Sequence, residues 1–230
     1  MNIENTKNIN KYIYVLLTST PSKFGKIIRA VTHAEYNHVS MATNDELSDI
    51  CTFARRKLKT PLNAGFTHER LEYYTRNKYS NIGVIVYKIP VTEEQYKDVT
   101  ELLNEIENDK EYMYNLFSAL TYPIIGGFRT YKAFTCVEFV ASVLNKAGVI
   151  TIDKAHKITP EEYGNILDDY KYYVGNLEDI LKESESIDNE FFAHDNIKEY
   201  MLINTITLAK LAKRLGSKIK GKVTHYEIYG

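Results

Sequence analysis

Two cysteines and six histidines occur in this chain, and one pairing among them has the setting for nucleophilic catalysis. Cys136 lies in Phe134-Thr135-Cys136-Val137-Glu138, just ahead of Phe139, Val140, Val143, Leu144 and Ala147, apolar residues at helical spacing. Thr135 can cap the start of that helix and Gly148 suits the position past its end, so Cys136 is expected in the first turn. A thiol attacks as its thiolate, and a helix N-terminus stabilises that anion with unpaired amides and the positive end of the dipole. A neighbouring imidazole would take the thiol proton and later deliver it to a leaving group.

The histidines are His33, His38, His68, His156, His194 and His225. Only His38 falls in a strand-like run, NHVSMA, where the backbone holds a ring rigidly enough for catalysis. His68 sits in an irregular stretch and the last three in polar or terminal segments. Cys136 as nucleophile and His38 as base are therefore the expected catalytic residues. Cys51 reads as a buried strand residue rather than a second nucleophile or a metal ligand. With two cysteines and no CxxC or Cys-His spacing, zinc is not expected, nor is any cofactor. Glu138 reads as a helix-start carboxylate favoured by the dipole.

The elements that must position this pair follow from periodicity. KYIYVLLT, Lys11 to Thr18, is a buried strand, and Phe24, Ile27, Ile28 and Val31 mark a helix after it. NHVSMATNDELSDICTFARR reads as a β-hairpin turning at Asn44 and Asp45, which would set His38 opposite Cys51 and Ser40 opposite Asp49. Residues 57–81 read as a long loop or a short strand near Phe66, and NIGVIVYKIP as a strand. Thr92 with Gln95 forms a capping-box signature before a helix whose buried face is Tyr96, Val99, Leu102, Leu103 and Ile106. A shorter helix is expected over Tyr112 to Leu120, broken by Tyr122, Pro123, Gly126 and Gly127. Thr159, Pro160 and Glu162 start another, KYYVG is a strand, and Ile197 to Leu215 is helical with one apolar side.

Composition bounds the class. In 230 residues, 44% are apolar and 26% charged, as in a folded globular protein. A net charge of -1 offers no field to draw nucleic acid, and no glycine-rich phosphate loop occurs. Nineteen tyrosines without tryptophan show no stacking pattern interleaved with Arg or Lys, which again argues against a nucleic-acid surface. Two cysteines suit a reducing compartment, and neither a secretory signal nor a spanning segment is apparent, so a cytoplasmic location is expected. Abundant Lys, Asn, Ile and Tyr suggest an AT-rich bacterial or phage genome. The tail carries Lys198, Lys210, Lys213, Arg214, Lys218, Lys220 and Lys222 among apolar residues. It reads first as a terminal helix docked on the core with a solvated basic end, and second as a helix lying on an anionic membrane surface.

YNHVSMA followed much later by FTCVEFVASVLNKAG resembles the circularly permuted, YiiX-like branch of the NlpC-type, papain-like cysteine hydrolases, relatives of the lecithin:retinol acyltransferase-like enzymes. As in that branch, the histidine precedes the cysteine. The resemblance runs from about Tyr12 to Gly175, including KITPEEY and YYVGNLEDI. It implies an α+β fold in which a small antiparallel sheet carrying His38 packs on the helix begun by Cys136, with residues 1–182 as the catalytic domain and 183–230 as a helical extension packed on it. It also implies an acyl-enzyme on Cys136, formed from an amide, thioester or ester in a small-molecule, peptide or lipid substrate. The family usually carries a third polar residue on the strand after the histidine strand to orient the ring. Here that stretch reads LSDICTF, the aligned positions offer Ile50, Cys51 or Thr52, and Asp49 is one step away and would serve if the hairpin register shifts, so a catalytically idle binding module of the same fold is the alternative reading.

Overall fold

The computed structural model describes residues 9–21, 34–76, 79–182 and 189–219. The helix expected around Phe24 to Val31 lies outside the described residues. The elements in chain order are β1 (Ile9–Thr18), β2 (His38–Ala42), β3 (Ile50–Arg55), β4 (Ala64–Glu69), α1 (Glu72–Thr75), β5 (Gly83–Thr92) and α2 (Glu93–Asn108). There follow β6 (Met113–Tyr114), α3 (Leu116–Ile125), β7 (Ala133–Phe134), α4 (Cys136–Lys146), α5 (Pro160–Ile166), β8 (Lys171–Asn176), α6 (Leu177–Ile180), α7 (Asn189–Phe192) and α8 (Ile197–Ile219). The fold class is α+β. Six strands form one antiparallel sheet in the order β4-β3-β2-β1-β5-β8, packed against helices.

The continuous apolar run of β1 is explained by its central place. Ile13, Val15 and Leu17 face a core closed by α2 and α4, while Tyr14 and Leu16 face a second cluster with Ala42, Ile50, Leu71, Val84 and Leu177. A strand covered on both faces has no polar side to show in its sequence. Against the first face, Phe53 of β3 gathers Phe66, Tyr112, Phe134 and Phe139 at centroid separations of 5.0–6.3 Å. These tilted and edge-on contacts fasten β3 to α4, the helix that presents Cys136.

Local sequence fixes the helix starts. Thr92 with Gln95, Thr135 with Glu138, and Thr159 with Glu162 each close a reciprocal capping box. Gly148 follows α4 with a φ of 62°, a left-handed residue that glycine adopts without strain. The helix expected over Tyr112 to Leu120 begins later and ends later. Met113 and Tyr114 are taken by a parallel pairing with Ala133 and Phe134, Asn115 caps the helix, and it continues through position 123 to a left-handed Gly126. A proline in the last turn forfeits only one backbone bond, which this short helix tolerates.

The hairpin differs from expectation in its register. Met41 pairs with Cys51 and Ala42 with Ile50, rather than His38 with Cys51 and Ser40 with Asp49. The turn is wide instead of two residues long: the Asn44 side chain accepts the Ser48 amide, its carbonyl accepts the Leu47 amide, and Leu47 takes a φ of 50°. The pairing therefore slips by three positions. An odd slip moves side chains to the opposite face, so His38 and Cys51 lie on opposite sides of the sheet.

The last helix docks at one end. Leu211 is buried against Met113 and Ala133, and Arg214 donates to the carbonyls of Lys132 (3.0 Å) and Glu111 (2.8 Å). Asp195, just ahead of that helix, holds Lys57 (2.6 Å) and Thr60. Ile197, Met201, Leu202 and Ile206 stay exposed on its free side. Among the described residues no helix is long and apolar enough to cross a membrane.

Candidate active site

Cys136 is the first residue of α4 and His38 the first of β2, two elements packed on each other. The capping box sets the address of the sulfur. Thr135 takes an extended conformation (φ -79°, ψ 172°), its hydroxyl accepts the Glu138 amide at 3.3 Å, and the Glu138 carboxylate accepts the Thr135 amide at 2.9 Å. Glu138 thus fills the helix-start role expected of it. The amide of Cys136 lies in the first turn, at the positive end of the helix dipole.

The ring of His38 is held from Nε2. Glu69 Oε1 lies 2.9 Å away and the Thr52 hydroxyl 3.4 Å away. Thr52 donates its proton to the Val39 carbonyl at 2.8 Å, so it fixes the strands more than it orients the ring. Glu69 is steadied in turn by Tyr74, whose hydroxyl donates to Oε1 at 2.7 Å. The Cys136 thiol interacts with the same ring. With Nε2 committed to Glu69, Nδ1 is the nitrogen available to the sulfur. Such contacts commonly tighten only when substrate arrives.

The electrostatics are those of a buried ion pair. Burial opposes charge on the His38 ring, but the Glu69 carboxylate and the hydrogen bonds to Cys136 and Glu69 outweigh it and lift the imidazolium to about 10. Burial likewise pushes Glu69 up, and the charge of His38 with hydrogen bonds from His38 and Tyr74 brings it below the usual carboxylate value. His38 therefore carries its proton at neutral pH beside the thiol. Tyr114 is a further neighbour: burial first, then the charges of Cys136 and Glu138, raise its phenol well above 10, so it remains a neutral hydroxyl.

A cavity of about 100 Å³ opens on the His38–Glu69 side, walled by Thr20, Asn37, Arg55, Tyr74 and Phe191. Phe191 is held there by stacking on Tyr73 at 3.8 Å. The space suits a small group rather than a whole substrate, and Cys136 keeps only 7% of its surface exposed.

The structure brings Cys136 and His38 together, and a residue that sequence reasoning missed, Glu69, pairs with the same ring. Glu69 closes β4, in the stretch read as loop or short strand, two strands away from His38 rather than on the next one. Asp49 is not the orienting group. It lies 2.5 Å from His68 Nδ1 instead. His68, assigned to an irregular stretch, is a strand residue paired with Cys51 across β3 and β4. His33 and His225 lie outside the described residues. No family model and no curated protein matches the sequence.

Proposed function

We propose that this chain is a thiol hydrolase or acyl transferase of the permuted papain-like, NlpC-type architecture, with Cys136 as nucleophile, His38 as acid–base and Glu69 as the residue that orients the ring. The supporting observation is the chain of contacts Cys136–His38–Glu69, in which the sulfur and the carboxylate engage one imidazole. The thiolate attacks a carbonyl carbon while the Cys136 amide receives the developing oxyanion. His38, kept protonated by Glu69, protonates the leaving amine, thiol or alcohol as the acyl-enzyme forms. It then removes a proton from water or an acceptor hydroxyl or amine, which releases the acyl group and restores the thiolate beside the imidazolium. The binding-module alternative rested on the lack of an orienting residue, and Glu69 fills that role.

The test is acyl capture by mass. Incubated with an activated ester and a thioester, the protein should gain one acyl group on Cys136 and none on Cys51. Cys136→Ala should gain none, and His38→Ala should acylate far more slowly. Slow acylation, equal at both cysteines and indifferent to His38, would sink the reading.

A further inference from the structure

On the opposite face of the β3–β4 pair lies a second thiol–imidazole–carboxylate group that the proposed reaction does not use. Cys51 and His68 are direct cross-strand partners, and Asp49 sits two residues before Cys51 on the same face. Cys51 Sγ is 3.8 Å from His68 Nδ1, Asp49 Oδ1 is 2.5 Å from the same nitrogen, and the three donor atoms lie within 4.8 Å of one another. Glu107, reaching from α2, accepts from the other ring nitrogen, Nε2, at 3.0 Å.

This arrangement is not a second catalytic triad. A triad places nucleophile and acid on different ring nitrogens, so that the ring relays between them. Here the thiol and Asp49 crowd one nitrogen, and the other is tied to Glu107. With Nε2–H donated to Glu107, loss of the Nδ1 proton leaves a lone pair aimed at the converging sulfur and oxygen, the arrangement that the outer carboxylate secures in carboxylate–histidine–metal sites.

We infer that Asp49, Cys51 and His68 form a three-ligand site for a zinc-class divalent cation, with Glu107 orienting His68 and a fourth position open to water or an outside ligand. Tetrahedral bonds of the usual lengths separate donor atoms by roughly 3.3–3.7 Å. The sulfur–nitrogen spacing of 3.8 Å needs to shorten by only about 0.2 Å, and Asp49, exposed over 57% of its side chain, need withdraw by only about 0.8 Å. One thiolate, one imidazole and one carboxylate favour zinc over magnesium or calcium. Binding displaces two protons to solvent, the one that His68 Nδ1 shares with Asp49 and the thiol proton of Cys51. Asp49 and His68 also line an open cleft of about 910 Å³, which gives an ion a route in. Linear spacing offered no sign of this site, because only the strand register brings position 51 to position 68.

Cobalt(II) titration of the full chain tests it, since a thiolate ligand gives an intense near-ultraviolet sulfur-to-metal band that oxygen and nitrogen ligands do not. One equivalent of cobalt should produce the band, and zinc should displace it. Cys51→Ser should abolish the band, and Glu107→Gln should weaken binding about 10–100-fold. Cys136→Ala should leave it intact. Asp49→Asn, at an exposed position, should weaken binding at least tenfold. No band with the folded protein, a band that survives in Cys51→Ser, or binding unchanged in both Asp49→Asn and Glu107→Gln would overturn the assignment.

Discussion

His68 and Glu69 are consecutive on β4 and point to opposite faces, so one strand end serves two thiol–imidazole–carboxylate groups that differ in how their partners are shared out. At His38 the carboxylate of Glu69 takes Nε2, which leaves Nδ1 for the sulfur that interacts with the ring. At His68 the sulfur and a carboxylate meet at Nδ1 while a second carboxylate holds Nε2. Their surroundings differ as well. His38 and Glu69 each expose 11% of their side chains, whereas His68 exposes 37% and Glu107 45%. As proposed, the first arrangement passes a proton between neighbours in a water-poor site, and the second holds a metal ion. Residue types alone do not separate a base from a ligand; the distribution of partners over the two ring nitrogens does.

The sharpest way to break this contrast is to remove each ring and follow both thiols. His38→Ala should slow iodoacetamide labelling of Cys136 at neutral pH by about 100-fold and leave Cys51 unchanged, whereas His68→Ala should leave Cys136 labelling within about threefold. Peptide mapping of the labelled protein reads both rates at once. If removal of His38 has no selective effect, the two clusters are chemically alike and the contrast fails.

Next in size is the ion pair itself. Glu69→Ala leaves a buried imidazolium without its counter-charge and should cost about 3–5 kcal/mol of stability in urea unfolding. The same truncation at Glu107 should cost less than about 1 kcal/mol, since that pair is half exposed. Near-equal losses would show that burial does not distinguish the sites.

How much of this could be read from the sequence depends on the range of the interactions involved. The capping boxes at Thr92, Thr135 and Thr159 involve residues three apart, so the helix starts, including the one that presents Cys136, were legible. The strand at β1 and the helical face of Val99, Leu102, Leu103 and Ile106 were legible through periodicity for the same local reason. What failed was the hairpin register. It is set by a wide turn in which Leu47 adopts a left-handed conformation, an unusual choice for a leucine that no local preference announces. Glu69 stayed hidden in consequence. Its strand has little alternation, and its approach to His38 runs across β3, between residues 31 positions apart in the chain.

The pH dependence of stability sharpens the contrast further, because the ion pair should show in it. The His38 imidazolium is raised from 6.5 to about 10, so its pairing contributes fully below 6.5 and is lost as pH rises through about 10. Glu69, lowered, contributes above its ordinary value and loses that contribution as pH falls through its depressed one. The melting-temperature gap between the natural chain and Glu69→Gln should therefore be widest between pH 4.5 and 6.5 and close as the pH rises to about 10. A gap that stays constant over that range would mean that the ring is neutral throughout.

The smallest expected effect concerns Thr52, which separates orientation from scaffolding within the His38 site. Its hydroxyl donates to the Val39 carbonyl at 2.8 Å and stands 3.4 Å from His38 Nε2, a distance too long for much directional force. Thr52→Val keeps the branched shape of a fully buried residue and removes one hydrogen bond, which should cost about 1 kcal/mol in urea unfolding. The rate of Cys136 labelling should stay within about twofold of the natural chain, because Glu69 alone sets the ring. A labelling rate that fell as far in Thr52→Val as in Glu69→Gln would make the threonine an equal partner in orienting His38. It would also end the assignment of that role to a single carboxylate two strands away.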